Sequence, residues 1–588
     1  MPVSPLVSLK VRVCLVTPFA WSQPHDVNEH VAGLGAGLRA LGHTVTILAP
    51  STRASDLLAG RRALQGHAQA LDVVAVGPAV PVSRRSQMGV PVGVRANLRL
   101  ALAQGGYDVV HGFEPGLPSL SYLALRETDA LTVATFCSPD RLAYPPARSQ
   151  REKLLGRIDS LLALSEPIRD AARERFPGDY TVISPGVDLD LFRPAAKERR
   201  IVVELRPNER PGARGVLRAL RELHGWEAVL LRTTPLVGRP AIPRDLAGRV
   251  TVRTARDGAA RAPLLAAAAI FVPGAEGLPR VLLEAQAAGC AIAAPLGVGE
   301  QPELAAAAAA RLAENERLRS SEQAMARTAA ERQSFADVAL QLDHIYAGLV
   351  RLRRGPQKRR HADPLADRPL ILADLHMHTT WSFDCAVDPA ELVDHAEAEG
   401  LGAIAVTDHN VFGGALETVD EARDRDLIVI PGEEVKTDKQ GEVIGLFLER
   451  EIPRGMSFSD TIAAIREQNG LVYVPHPFDR MHTIPDPATL HRHLADIDVL
   501  EVYNARLLFE AQNDEALRFA RKYNLTMGAG SDAHVLQGVG TGALRMRSFN
   551  DPEEFLISLR SAEVLRRPKS LAYLQSLKWM AQVKEKVR

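Results

Sequence analysis

The stretch Leu370-Ile371-Leu372-Ala373-Asp374-Leu375-His376-Met377-His378 decides the reading of the carboxy-terminal third of the chain. A short apolar run of strand length passes straight into His-Met-His. Alternate side chains of an extended strand share a face, so His376 and His378 point the same way and form a pincer suited to a metal ion. The pattern recurs downstream. Residues 403–407 are apolar and end in Asp408-His409, and residues 427–430 end in Pro431-Gly432-Glu433-Glu434. Residues 471–474 end in Pro475-His476-Pro477, residues 499–503 in Asn504, and residues 526–529 in Gly530-Ser531-Asp532-Ala533-His534. Asp384 sits in the turn Trp381-Ser382-Phe383-Asp384 that follows the first run.

Six strand-like runs thus finish in His, Asp, Glu or Asn. In a β/α barrel the carboxyl ends of all strands gather at one rim, where such folds place their chemistry. Imidazoles and carboxylates crowded there are costly to bury unless cations neutralise them. A mixed nitrogen and oxygen donor set suits Zn²⁺, Mn²⁺ or Fe rather than Ca²⁺ or Mg²⁺ alone. Several such ions would polarise a phosphoryl group and lower the pKa of bound water toward about 7. Glu433 points away from Glu434 on an extended chain and is left out. His491-Arg492-His493 repeats the spacing but follows Asp486-Pro487-Ala488-Thr489-Leu490, so it reads as exposed helix. Arg480 and His482, just after His476-Pro477-Phe478-Asp479, read as loop residues within reach of a substrate phosphate, with Arg480 the candidate phosphate contact.

These motifs, in this order, resemble the PHP (polymerase and histidinol phosphatase) family of metal-dependent phosphoesterases, over about residues 370–545. The resemblance implies a distorted (β/α)7 barrel holding two or three divalent metals. Carried over position by position, it implies that His376, His378, Glu434 and Asp532 hold one metal. Glu434 would bridge to a second, which also takes His476 and, at the next matching position, Asn504. Asp384, His409 and His534 would hold a third, with Asp384 or His534 also candidates for proton transfer. Asp384 and Asn504 depart from the family, where histidine is common at both positions.

Working toward the amino terminus, residues 351–360 carry six basic residues in ten, with proline and no periodicity, and read as a linker. Before it, strand and helix alternate. Residues 11–16 form an apolar run, and Val31, Leu34, Leu38 and Leu41 then recur on one helix face. Gly42 stands where a helix C-cap glycine belongs, and residues 44–49 form the next strand. This βαβ opening implies a parallel sheet. The alanine-rich residues 304–333 read as helical.

The segments around Glu29, Glu114, Glu166, Pro185 and Glu284 resemble GT-B glycosyltransferases of family 4, over about residues 10–350. The resemblance implies two Rossmann-like domains with a nucleotide sugar in the cleft between them. Glu276 and Glu284 match the family's pair of glutamates eight apart: the first would face the donor sugar as a catalytic residue and the second would hold the donor ribose. Arg206 and Arg214 match the cations that grip the donor diphosphate. The chain departs from the family in having His25-Asp26 for a Gly-Gly turn, Cys137 for a histidine, and Gly277-Leu278-Pro279 between the glutamates.

The expected architecture is α/β, a GT-B double Rossmann-like module followed by a distorted (β/α)7 PHP barrel. Its divisions fall at 1–180, 181–350, a linker at 351–368, the barrel at 369–570 and a terminal helix at 571–588. Composition agrees with a globular chain: 46% of the 588 residues are apolar and 24% charged. Lys plus Arg and Asp plus Glu are 71 each, and without a basic excess the chain is not built for long nucleic acid. Four scattered cysteines without a CxxC pair indicate no disulfide framework. With no apolar run long enough to span a bilayer and no signal peptide, the expected compartment is the cytoplasm. The expected function is hydrolysis of a small phosphate mono- or diester, coupled to a module that transfers or binds a nucleotide sugar. Two alternatives stand beside it: a nucleotide or oligonucleotide phosphodiesterase, and a phosphoesterase regulated by a non-catalytic nucleotide-sugar-binding module.

Overall fold

The computed structural model describes residues 9–67, 71–81, 89–91, 93–205, 210–233, 240–274, 280–294, 303–353, 364–479, 481 and 483–567. The chain separates into two compact units, Met1–Val350 and Arg351–Arg588. The expected terminal helix at 571–588 and most of the basic linker lie outside the described residues.

The amino-terminal unit carries two sheets. Val13, Cys14, Leu15 and Val16 are wholly buried in the strand Arg12–Val16, as a strand covered on both faces requires. The helix Asp26–Ala40 follows, capped by His25, whose Nδ1 accepts the Val27 N–H. It buries Val31, Leu34 and Leu38, the expected stripe, and the chain leaves it through Gly42 at a φ of +91°. Arg12–Val16 lies in an eight-stranded sheet between Thr44–Ser51 and Val109–Phe113. Strand order reverses there, and such a switch point opens a crevice at the strand carboxyl ends. The second sheet has five parallel strands with Glu198–Leu205 at its centre. The alanine-rich segment forms two helices, Glu303–Glu314 and Glu316–Glu331. Asn315 divides them because its side chain caps the second by accepting the Leu318 N–H. A last helix, Phe335–Leu352, returns to the first sheet. Its Tyr346 Oη lies 2.7 Å from His111 Nδ1, and its Asp343 lies 3.1 Å from His43 Nε2.

The carboxy-terminal unit is built on seven strands: β1 (Leu370–Met377), β2 (Ala403–Val406), β3 (Ile428–Lys436), β4 (Glu442–Leu446), β5 (Leu471–Val474), β6 (Val499–Asn504) and β7 (Thr526–Gly530). They are hydrogen-bonded in chain order. All neighbours run parallel except β4, which is antiparallel to both β3 and β5. The ring closes where the Asp532 N–H donates to the His376 carbonyl (2.7 Å) and the His378 N–H to the Ala533 carbonyl (3.1 Å). Two further strands, Gly542–Arg547 and Glu563–Arg566, extend the sheet antiparallel from β1. Leu375, Ile430, Ile444, Tyr473, Val499, Leu544 and Phe555 share one buried core.

The reversed strand β4 is the element that the pattern of strand ends does not reveal. Its residues Glu442-Val443-Ile444-Gly445-Leu446 carry no acid or histidine at their carboxyl end. Being reversed, β4 brings its first residue to the rim where the parallel strands finish.

Backbone and side chains meet closely at the closing seam. A Cβ on Gly530 would lie 2.3 Å from the Cβ of His376 and 2.9 Å from its backbone nitrogen. Gly530→Ala is therefore expected to destabilise the carboxy-terminal unit by about 1–3 kcal/mol, the usual cost of overpacking a filled interior. Denaturant unfolding of the full chain measures this, and an unchanged carboxy-terminal transition contradicts it.

Candidate metal centre

The rim of the seven-stranded unit gathers the side chains that end its strands. His376 and His378 leave β1 on one face, with their Nε2 atoms 3.3 Å apart. Glu434, near the end of β3, stands at the centre. Its carboxylate lies 3.4 Å from His376 Nε2, 3.6 Å from His378 Nε2, 3.0 Å from His409 Nδ1 and 3.1 Å from His476 Nε2. Asp532, after β7, comes within 3.4 Å of His378 Nε2 and of His534 Nδ1. Asp384 lies 3.0 Å from His534 Nε2 and 3.9 Å from His409 Nε2. His476 and Asp532 hold positive φ values of 26° and 52°. Backbone of this kind is strained in residues with a Cβ and gathers at functional sites.

The donor set fits divalent cations. Four trios place their ligand atoms within 4.8 Å of one another: His378, His409 and His534; His376, His476 and Asp532; His376, His378 and Glu434; His409, Glu434 and Glu442. Imidazole nitrogens facing one another at 3.3 Å bond only if one donates and the other accepts, whereas both can turn their lone pairs on a shared cation.

The electrostatics express the same crowding. Burial works to raise the carboxyl of Glu434, but the charges of His376 and His409 outweigh it and hold it well below the usual carboxylate range. Burial works to lower His409 and His476, but Glu434 overrides it and brings each up to about 9. His376 is likewise driven well above the ordinary imidazole range by Glu434 and Glu501 against its burial. His378 goes the other way, pushed well below it by burial and by His534.

Several residues outside the expected ligand set complete the site. Glu501, inside β6, is fully buried. It takes His376 Nδ1 at 3.1 Å, the His476 N–H at 2.7 Å and the Tyr473 hydroxyl at 3.0 Å. Carboxylates behind ligating imidazoles orient the ring and raise its basicity. Asp408 accepts the Ser382 hydroxyl at 2.7 Å and the Thr379 hydroxyl at 2.6 Å, fixing the loop that carries Asp384. Arg506 lies 3.0 Å from Asp532 and 3.1 Å from His534, with its side chain 36% exposed. The only sequence signal for Glu501 is its place two residues before the apolar end of β6, and Arg506 has none, because it sits in a loop.

Asn504 reaches the site in a different posture from a ligand's. Its amide nitrogen donates to Glu501 (3.0 Å) and Asp532 (3.3 Å), and its oxygen accepts the Arg506 N–H (3.0 Å). Glu433 is buried away from the cluster and accepts the Ile452 N–H. The expectation of exposed histidines at 491 and 493 is corrected for both: His491 is half-buried with Nε2 2.7 Å from Tyr523 Oη, and His493 is buried between Ser459 (3.0 Å) and Asp496 (2.9 Å). Tertiary packing decides their burial, which the local sequence does not show. Arg480 and His482 lie outside the described residues, as do Glu276 and Arg206.

In the amino-terminal unit Glu284 is buried on the helix Arg280–Ala287. Arg261 grips both of its oxygens, at 2.5 and 2.7 Å, and Arg280 adds a contact at 3.1 Å. Both arginines also pair with Glu29 of the helix Asp26–Ala40. Arg280 further donates to the Asp26 carbonyl at 3.0 Å. Arg214 is exposed on the helix Arg210–Leu220. Cys137 is buried, which raises its thiol well above the ordinary range.

Residues 27–191 match the family described as Glycosyltransferase Family 4. Residues 374–523 match the PHP domain, and residues 510–564 match the PHP-associated family. The chain is a fusion of a family 4 glycosyltransferase module with a PHP module. A stretch of 211 residues is 33% identical to the uncharacterized protein MJ0417 of Methanocaldococcus jannaschii, covering 34% of this chain and 84% of that one. A stretch of 184 residues is 34% identical to a phosphatidyl-myo-inositol mannosyltransferase of Propionibacterium freudenreichii. That match covers 30% of this chain and 47% of the relative, so less than half of the relative's length is spanned. A glycosyltransferase structure from Rickettsia africae is similar at 16% identity and a TM-score of 0.42, over 58% of this chain and 99% of that one. The PHP module is a metal-dependent hydrolase fused to the glycosyltransferase module. Among the described residues, no helix of either module is long and apolar enough to cross a membrane.

The PHP module's titration has a defined sign. Without metal, the folded-state values of His409 and His476, about 9, lie above the ordinary 6.5. Their stabilisation is complete below about pH 6.5 and is lost as pH climbs through about 9. Metal ligation needs neutral imidazoles and tightens over the same interval. The metal-free chain is expected to melt lower at pH 9 than at pH 7, while Mn²⁺ binding strengthens. Thermal melts and calorimetric titrations at the two pH values check this, and a metal-free melting temperature that rises with pH contradicts it.

Proposed function

We propose that the PHP module hydrolyses a small phosphate ester. The convergence of five histidines on Glu434, Asp532 and Asp384 is the observation that carries this reading. In it, His376, His378, Glu434 and Asp532 hold one metal, Glu434 and His476 help hold a second, and Asp384, His409 and His534 hold a third. Zn²⁺, Mn²⁺ or Fe bound there would neutralise phosphoryl oxygens and acidify water.

The remaining work falls to the chain's own groups. Arg506 presents a partly open guanidinium beside Asp532 and His534, suited to two parallel hydrogen bonds to a phosphate. Glu501 fixes the ring of His376. Asp384 or His534, 3.0 Å apart, is in this reading the candidate to pass a proton to a departing oxygen. Phe383 is 88% exposed, with its ring centroid 5.8 Å from that of His409. An aromatic ring in that position favours an ester whose alcohol part stacks, such as a nucleoside.

The expected result is phosphate release by the full chain with Mn²⁺ or Zn²⁺ from one member of a panel of sugar phosphates, inositol phosphate, mononucleotides and a dinucleotide. The mannosyltransferase relative is the reason for including mannose and inositol phosphates. His376→Ala abolishes release, Glu501→Gln lowers it about 10–100-fold, and Phe383→Ala raises KM for nucleotides but not for sugar phosphates. No release from any member with metal bound contradicts the reading.

For the glycosyltransferase module, the capture of Glu284 by Arg261 and Arg280 supports a body that binds rather than transfers. Arginine-bound on both oxygens, Glu284 has little capacity left for ribose hydroxyls. Nucleotide-sugar affinity measured by calorimetry is expected to change less than twofold in a folded Glu284→Gln variant. A loss of more than tenfold would place Glu284 on the donor.

A further inference from the structure

We propose that Glu29 is the bolt of an autoinhibitory latch in the amino-terminal unit. Paired with Arg261 and Arg280, it holds the helix Asp26–Ala40 against the helix Arg280–Ala287 and keeps nucleoside diphosphates out of the crevice between them. The inference rests on the reading of this module as one that binds a nucleotide sugar, and it adds what restrains that binding.

Three helix starts meet at this cluster. The helix Asp26–Ala40 follows the strand Arg12–Val16 at the switch point of the first sheet. The helices Gly258–Ala267 and Arg280–Ala287 follow the strands Val250–Thr254 and Ala268–Val272 of the second sheet. Each helix thus begins at a strand carboxyl end, where such folds take their ligands and where helix N-termini favour anions. Here the anion comes from the chain itself. Glu29 lies in the first turn of its helix, and Arg261 and Arg280 stand near the starts of the other two. Arg261 Nη2 donates to Glu29 Oε2 at 2.9 Å, Arg280 Nη2 pairs with the same oxygen, and Arg280 Nη1 donates to the Asp26 carbonyl at 3.0 Å.

The two carboxylates of the cluster are gripped unequally. Glu284 is held through both oxygens by Arg261 and is sealed from solvent. Glu29 is held through Oε2 alone, and its Oε1 is buried with no hydrogen-bond partner among the described residues. The side chain of Glu29 is 20% exposed, that of Arg280 8% and that of Arg261 fully buried. Glu29 is therefore the more weakly seated carboxylate and the nearer to solvent. A diphosphate offers several oxygens to the same guanidiniums, so it displaces Glu29 before it disturbs Glu284. While Glu29 stays seated, its charge repels a diphosphate and denies it both arginines. Only molecules with the bolt drawn are open to ligand, and apparent affinity falls by that fraction. Glu284→Gln leaves both bridges of Glu29 in place, which agrees with the small effect expected of it on nucleotide-sugar affinity.

Two measurements on the full chain test the latch: amide hydrogen exchange over residues 26–40 and 280–287, and calorimetric binding of UDP and GDP. Glu29→Gln keeps the shape of the side chain and removes its charge. In this variant the amides of both helices are expected to exchange about tenfold faster than in the wild type, or more. UDP or GDP is expected to bind it about tenfold tighter, or more. Arg280→Gln, which breaks a bridge from the opposite side, is expected to speed exchange in the same two helices, and circular dichroism establishes that each variant is folded. Exchange and affinity within about twofold of wild type in Glu29→Gln overturn the inference, as does unchanged exchange in Arg280→Gln. Either change without the other in Glu29→Gln also overturns it, since faster exchange alone leaves Glu29 a structural tie. If neither UDP nor GDP binds the wild type or either variant, the reading of the module as a nucleotide-sugar binder falls together with the latch.

Discussion

Glu434 is a carboxylate sealed inside the PHP module with four imidazoles within 3.6 Å of it. A buried charge of this kind persists only when paired, and breaking such a pair is far costlier than never burying it. Much of the module can be understood as a device for keeping this one group supplied with partners. β1 contributes two imidazoles by simple alternation. The loop after β7 contributes Asp532 and His534, and it is pinned to β1 by Asp374, whose buried carboxyl accepts the Ser531 and Gly540 N–H groups, each at 2.9 Å. Glycine at 530 is what lets that loop come so close.

The two modules answer the same problem differently. Among the described residues, the surplus of imidazole donors and carboxylates in the PHP module has no arginine at its centre, and the guanidinium of Arg506 stands to one side against Asp532 and His534. That arrangement leaves room for cations from solution. In the glycosyltransferase module Glu284 and Glu29 are matched by two arginines of the same chain. Covalently supplied cations are permanent, so this cluster ties the helix Asp26–Ala40 to the helix Arg280–Ala287 whether or not a ligand is near. A site closed by its own salt bridges gains rigidity at the expense of the contacts a ligand would otherwise make.

The strand ends were the most readable part of the sequence, because period two and the change from apolar to polar both mark them. Every histidine and acid placed at the rim from those ends does lie in the cluster, and the βαβ opening with its buried Val31, Leu34 and Leu38 is equally plain. Residues inside or beside strands were not readable this way. Glu501 is hidden in an apolar run, Arg506 in a loop, and Glu442 at the start of a strand whose direction no local pattern reports. Burial of His493 depends on Ser459 and Asp496, contacts that only the assembled fold creates. Local periodicity shows which residues share a face, but a reversed strand or a packed loop is decided by partners distant in sequence.

The claim that the rim of the PHP module is a multi-metal centre is most directly tested by anomalous diffraction from crystals of the full chain grown with Mn²⁺ or Zn²⁺, collected on either side of the metal edge. The account predicts two or three anomalous peaks enclosed by His376, His378, Asp384, His409, Glu434, His476, Asp532 and His534. Peaks confined to the protein surface, with none among these residues, would contradict it.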